Sequence, residues 1–182
     1  MAVAFVFPGQ GSQAVGMGKS LATNFAAARQ VFDEVDAALA SKLSTIIFAG
    51  PSDALTLTEN AQPALMAVSL AALRVMETEA GLNLERDAQF IAGHSLGEYS
   101  ALAAAGAFTV TDAARLLRTR GQAMQKAVPV GEGAMAALIG LELMRRRQLR
   151  RTPRKVRCAK RPTTMGLVRL SSPETRRRSS VR

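Results

Sequence analysis

The chain has 182 residues, of which 48% are hydrophobic, and carries a formal net charge of +10. That length supports one domain with a real core, and its apolar runs are all too short for a membrane-spanning helix, which excludes a membrane partner of that kind. A single cysteine, Cys158, excludes an internal disulfide and points to a cytoplasmic protein.

The net charge hides two unlike segments. Residues 1–140 hold 9 Lys/Arg against 12 Asp/Glu, a net of −3, whereas residues 141–182 hold 15 Lys/Arg against two acids, Glu142 and Glu174, a net of +13. All eight aromatic residues lie at or before position 108. The composition therefore divides the chain near Gly140 into a globular part and a basic tail.

Residues 2–7, Ala-Val-Ala-Phe-Val-Phe, lack the basic start of a signal peptide and predict a buried first strand. The strand stops at Pro8-Gly9-Gln10-Gly11-Ser12-Gln13, a glycine-rich loop without either common nucleotide-binding pattern. It reads either as a plain strand-end turn or as a loop whose backbone N–H groups face a reaction site. Over residues 18–39, Leu21, Phe25, Ala28, Phe32, Val35 and Leu39 recur at threes and fours and predict one amphipathic helix. Ile46-Ile47-Phe48 is a short apolar segment before the turn cluster Gly50-Pro51-Ser52-Asp53. Pro63 predicts the first turn of a helix that runs to about Glu79 and stops at Gly81.

Residues 88–92 predict a strand, and residues 96–105 a helix. Between them stands Gly93-His94-Ser95-Leu96-Gly97, a Gly-x-Ser-x-Gly turn in strand–turn–helix context. Glycines on both sides of the serine permit a turn too tight for side chains, which pushes Ser95 Oγ outward over the head of the following helix. Negative charge developing at Oγ or on an attacked carbonyl is favoured there. Ser95 is thus the candidate nucleophile; an ordinary glycine-rich turn is the plainer alternative.

A further helix is predicted from a Thr111 cap to about Lys126, with Asp112 in its first turn. Ala113, Leu116, Leu117 and Met124 form its apolar face with Arg120 in the middle, while Arg115 and Arg118 read as solvated. A buried guanidinium needs a partner. Arg120 either pairs with an acid such as Glu98, snorkels past a helix end, or awaits a substrate carboxylate, for which its planar fork is suited. Residues 133–140 predict one more strand.

Phe-Pro-Gly-Gln-Gly-Ser-Gln at 7–13, Gly-His-Ser-Leu-Gly-Glu-Tyr-Ser-Ala at 93–101 and Arg120-Gly121 together resemble the acyltransferase family of malonyl-CoA:acyl-carrier-protein transacylases. Residues 58–65 and 133–140 resemble it too, so the likeness covers about residues 1–140. It implies an α/β fold: an α/β-hydrolase-like large subdomain, incomplete here, with the ferredoxin-like small subdomain missing. It also implies transfer of a malonyl group from malonyl-CoA to acyl carrier protein in fatty acid biosynthesis, through a malonyl ester of Ser95. The backbone N–H groups of Gln10 and Leu96 become the oxyanion donors, and Arg120 the partner of the malonyl carboxylate. No cofactor or metal is implied, since malonyl-CoA is a substrate.

The family's general base is a histidine later in the chain. This sequence has one histidine, His94, beside Ser95, where adjacent side chains diverge, so impaired activity is expected. Residues 141–182 lack an apolar period and read as a basic tail, disordered or shifted in reading frame. With no aromatic residue to stack on bases, a nucleic-acid partner is not expected from it. A serine esterase and a non-catalytic remnant that binds acyl carrier protein or nucleic acid are the alternative functions.

Overall fold

β2, Phe90–Gly93, is the middle strand of a three-stranded sheet, with Ile91 and Ala92 buried. β1, Ala4–Phe7, pairs with it in parallel, Ala4 opposite Phe90 and Phe7 opposite Gly93. β3, Gly166–Arg169, pairs antiparallel on the other side, Phe90 opposite Arg169 and Gly93 opposite Gly166. This computed structural model describes residues 3–127 and 166–169.

Parallel strands need a long crossover. Here it consists of α1 (Lys19–Asn24), α2 (Ala26–Leu39), α3 (Leu43–Ala49), α4 (Ser52–Thr56), α5 (Thr58–Ala80) and α6 (Leu84–Asp87). After β2 come α7 (Gly97–Ala104) and α8 (Val110–Ala127). The result is a mixed α/β architecture.

α5 is the inner helix, packed against α2, α7 and α8. Ala61, Ala64, Met66, Ala67 and Ala71 along it are fully buried. Its alanines let neighbouring helices approach. Gly121 of α8 lies against the start of α5, where a Cβ would come 2.5 Å from Glu59 Cα. Around α5 the core is filled by Phe32, Ile47, Leu55, Ile91 and Leu117, and Phe32 meets Phe48 edge-on at 4.9 Å between ring centroids.

The Gly81 stop and the strand–turn–helix around Ser95 stand as the sequence predicts, whereas the first strand, predicted as buried, is among the described residues an edge strand in which Phe7 is buried and Val6 is 58% exposed. At Gly81, φ is 65°, a left-handed cap that glycine takes without strain.

Other elements differ. The helix predicted over 18–39 is two helices broken at Phe25, whose backbone is extended (φ −126°, ψ 123°). The break is stabilised because the Arg29 guanidinium donates to the Ala22 and Thr23 carbonyls that α1 leaves open. Leu21 and Phe25 still pack on the core, so the apolar stripe survives a break in the axis. Pro63 lies one turn deeper than predicted, because α5 already starts at Thr58. α8 starts at Val110, and its cap is Thr109, whose Oγ1 accepts from the Asp112 N–H at 3.0 Å and donates to the Asp112 carboxylate at 2.8 Å. Thr111 instead gives its N–H and hydroxyl to Glu34 of α2, at 3.1 and 2.9 Å.

The stripe of α8 is also rotated from the predicted one. It consists of Val110, Ala113, Ala114, Leu117 and Gly121, while Leu116 is 44% exposed. At about 100° per residue, Arg118 and Arg120 flank this stripe on opposite sides. Arg118 is therefore half-buried, not solvated, and donates to Asn60 Oδ1. Burial pushes its guanidinium down from the ordinary value, opposed by the nearby Glu59 charge. Arg115, exposed as predicted, donates to the Ala38 carbonyl at the end of α2.

The segment read as a basic tail without an apolar period contributes β3. Gly166-Leu167-Val168 is a short apolar segment there, and Val168 stands opposite Ile91. The strand predicted at 133–140 and the rest of the tail lie outside the described residues.

Candidate active site

The turn between β2 and α7 is held by backbone bonds. The His94 N–H donates to the Phe7 carbonyl at 3.2 Å, Gly97 to the His94 carbonyl at 2.9 Å, and Glu98 to the Ser95 carbonyl at 3.2 Å. The two glycines are required by space. A Cβ on Gly93 would overlap the Gly97 carbonyl, and a Cβ on Gly97 would strike the Phe7 and Pro8 carbonyl oxygens. Ser95 itself sits at φ 58°, a left-handed conformation that costs a serine about 1–3 kcal/mol. The surrounding bonds hold it there, and its side chain is half-buried at the head of α7.

The Pro8–Gly9–Gln10 loop lies alongside. The His94 imidazole packs against Gly9, where a Cβ would come 2.5 Å from Nδ1. The Gln10 side chain reaches Thr58 Oγ1 at 3.3 Å and ties the loop to the start of α5. Among the described residues, neither the Gln10 nor the Leu96 backbone N–H has an acceptor. The Leu96 side chain is 1% exposed and anchors the turn in the core.

Arg120 reaches this point from α8. Its Nη2 donates to Ser95 Oγ at 3.0 Å, and its Nη1 donates to Gln62 Oε1. The guanidinium carbon also lies 5.9 Å from the Tyr99 ring centroid, within cation–π range. Gln62 is wholly buried, and its Nε2 contacts Met124 Sδ at 3.3 Å. Among the described residues Arg120 forms no ion pair, with Glu98 or any other acid. Of the readings left open by the sequence, the ion pair is therefore not the one formed.

Of the four predicted residues, Arg120 is bonded to Ser95, Leu96 follows Ser95 in the turn, and Gln10 belongs to the loop that packs on this turn through Pro8 and Gly9. His94 does not join them through hydrogen bonding, and among the described residues Arg120 is the group bonded to Ser95 Oγ. Sequence reasoning missed Gln62 and Tyr99. Gln62 carried a signal, as a lone polar residue within an alanine-rich stretch of α5. A cleft of about 320 Å³ elsewhere, lined by Leu39, Lys42, Ile46, Asn60 and Arg118, includes none of the four. Among the described residues no three metal-ligating side chains cluster, and no helix is long and apolar enough to cross a membrane.

Chemically, the arrangement presents a hydroxyl at a strained turn with a fixed cation at bonding distance, and the Leu96 and Gln10 N–H groups lack an acceptor among the described residues. It is suited to attack on a carbonyl whose charge moves to oxygen, in a substrate that carries an anion.

The model of the acyl transferase domain family matches residues 4–168, which reaches past residue 140 into β3. The malonyl CoA-acyl carrier protein transacylase of Bacillus subtilis (strain 168) is 54% identical over 140 residues, which cover 77% of this chain and 43% of that protein. The crystal structure of acyl-carrier-protein-S-malonyltransferase from Bartonella henselae is 66% identical with a TM-score of 0.77, covering 82% of this chain and 47% of that one. A malonyl-transacylase in complex with its type II PKS acyl-carrier protein is 44% identical with a TM-score of 0.65, covering 71% and 40%. The chain spans less than half the length of each of these relatives.

Proposed function

Because the chain belongs to the acyl transferase domain family, we propose that its site is built to transfer a malonyl group from malonyl-CoA to the phosphopantetheine thiol of acyl carrier protein, in fatty acid biosynthesis. The observation that carries the reading is the Arg120 guanidinium at 3.0 Å from Ser95 Oγ. A cation so placed reads an acyl group that ends in a carboxylate and holds its thioester carbon near the nucleophile.

Ser95 Oγ attacks the thioester carbonyl, the Gln10 and Leu96 N–H groups receive the oxyanion, and coenzyme A leaves as its thiol. The carrier protein's thiol then attacks the malonyl ester and restores the serine. No cofactor takes part. Malonyl-CoA and acyl carrier protein are the partners, and the setting is cytoplasmic. In this reading residues 1–140 form part of an α/β-hydrolase-like large subdomain.

The proton of Ser95 needs an acceptor, and no imidazole bonds to it among the described residues. A serine without its base loses several powers of ten in rate, since the two act as a unit. The 182-residue chain is therefore a slow transferase. Incubation with malonyl-CoA and holo acyl carrier protein, followed by the mass of the carrier, tests this. Slow malonyl-carrier formation that Ser95→Ala abolishes supports the reading; formation at the same rate with Ser95→Ala defeats it.

A further inference from the structure

The cation that would read the substrate is bonded to the nucleophile. Arg120 Nη2 donates to Ser95 Oγ at 3.0 Å, so one lone pair of the hydroxyl is occupied by a charged donor. The guanidinium has little freedom, because Gln62 holds Nη1 and Tyr99 lies against it. Gln62 is wholly buried, so the anchor is fixed in the core. Ser95 is equally constrained by its left-handed backbone and the bonds of the turn.

We propose that Arg120 restrains Ser95 at rest and releases it to a carboxylate, so that the acid group recognised by Arg120 also frees the nucleophile. An ionised carboxylate offers the guanidinium an opposite charge and two acceptor oxygens for a bidentate pair, where the neutral hydroxyl offers one uncharged acceptor. The exchange therefore runs towards the carboxylate. A neutral acyl group offers Arg120 nothing in return, and Ser95 stays restrained. This inference rests on Arg120 as the carboxylate partner, and it adds a coupling between recognition and nucleophile.

The coupling has a thermodynamic signature. If binding requires release of Ser95, the released state is a minority at rest and the apparent affinity for a carboxylate falls by that fraction. Removing the hydroxyl removes the competition. Isothermal titration of malonate into the 182-residue chain reads this directly, with Ser95→Ala, Ser95→Gly and Arg120→Gln beside the wild type. Ser95→Gly also relieves the strained backbone, so it guards against a folding artefact in Ser95→Ala.

The expected result is malonate binding on the order of tenfold tighter in both Ser95 variants than in the wild type, and none in Arg120→Gln. Equal or weaker binding in both Ser95 variants, with Arg120→Gln still inactive, overturns the restraint and leaves Arg120 as carboxylate partner. Absence of malonate binding throughout, or undiminished binding in Arg120→Gln, overturns the carboxylate reading itself and the restraint with it.

Discussion

Gly97, the first residue of α7, lies directly against the Phe7 carbonyl at the end of β1, with no room between them for a Cβ. The same contact joins the Ser95 turn to the loop that bears Gln10. Gly97→Ala must push α7 away from β1, and overpacking of this kind costs about 1–3 kcal/mol. A lowered urea midpoint and loss of any Ser95 adduct are expected. An alanine variant with unchanged midpoint would show that the strand and helix are not so closely apposed.

α2 ends on a residue that suits its backbone poorly. Ala40 takes φ 47°, ψ 38°, and its N–H caps the Asp36 and Ala37 carbonyls. A left-handed alanine is strained by about 1–2 kcal/mol, which a glycine avoids at a cost in chain entropy of about 0.5–1 kcal/mol. Ala40→Gly is therefore expected to stabilise the chain by about 0.5–1 kcal/mol, read from denaturant unfolding. Destabilisation by the glycine would count against this cap.

Asp87 gives an acid-limb prediction. Hydrogen bonds from the Arg86 guanidinium, then from the Asn83 N–H, lower its carboxyl from the ordinary 3.8 to about 2. The fold thus favours the ionised form. Its contribution is fully present above about pH 4 and is lost as pH falls towards 2. The group is exposed, so the contribution is small and weakened by salt. Urea midpoints at a series of acidic pH values should fall more steeply for the wild type than for Asp87→Asn. Parallel curves for the two would remove the Arg86–Asp87 pair from the account.

What the sequence revealed, and what it hid, follows from the range of the forces involved. The Ser95 turn was legible because its glycines answer a local demand for space, and the strand before it and helix after it are adjacent in the chain. Gly81 was legible for the same reason. The break at Phe25 was not, because Leu21 and Phe25 keep the apolar period across it while the stabilising donor, Arg29, comes from the next helix. The cap of α8 was misplaced by two residues because Thr109 and Thr111 look alike locally, and Glu34 on α2 engages the second of them. Arg118 read as solvated because its partner, Asn60, is 58 residues away on α5. Arg120 reads in the sequence as a guanidinium at the centre of the stripe in need of a partner; in the structure it flanks the stripe, and Gln62 and Ser95 accept from it.

The most direct measurement is intact mass of the 182-residue chain after prolonged exposure to malonyl-CoA, with Ser95→Ala and acetyl-CoA as comparisons. The account predicts slow gain of a single malonyl group, located on Ser95 by peptide mapping, absent from Ser95→Ala and much reduced with acetyl-CoA. No malonyl gain at any time, or an equal gain in Ser95→Ala, would contradict it.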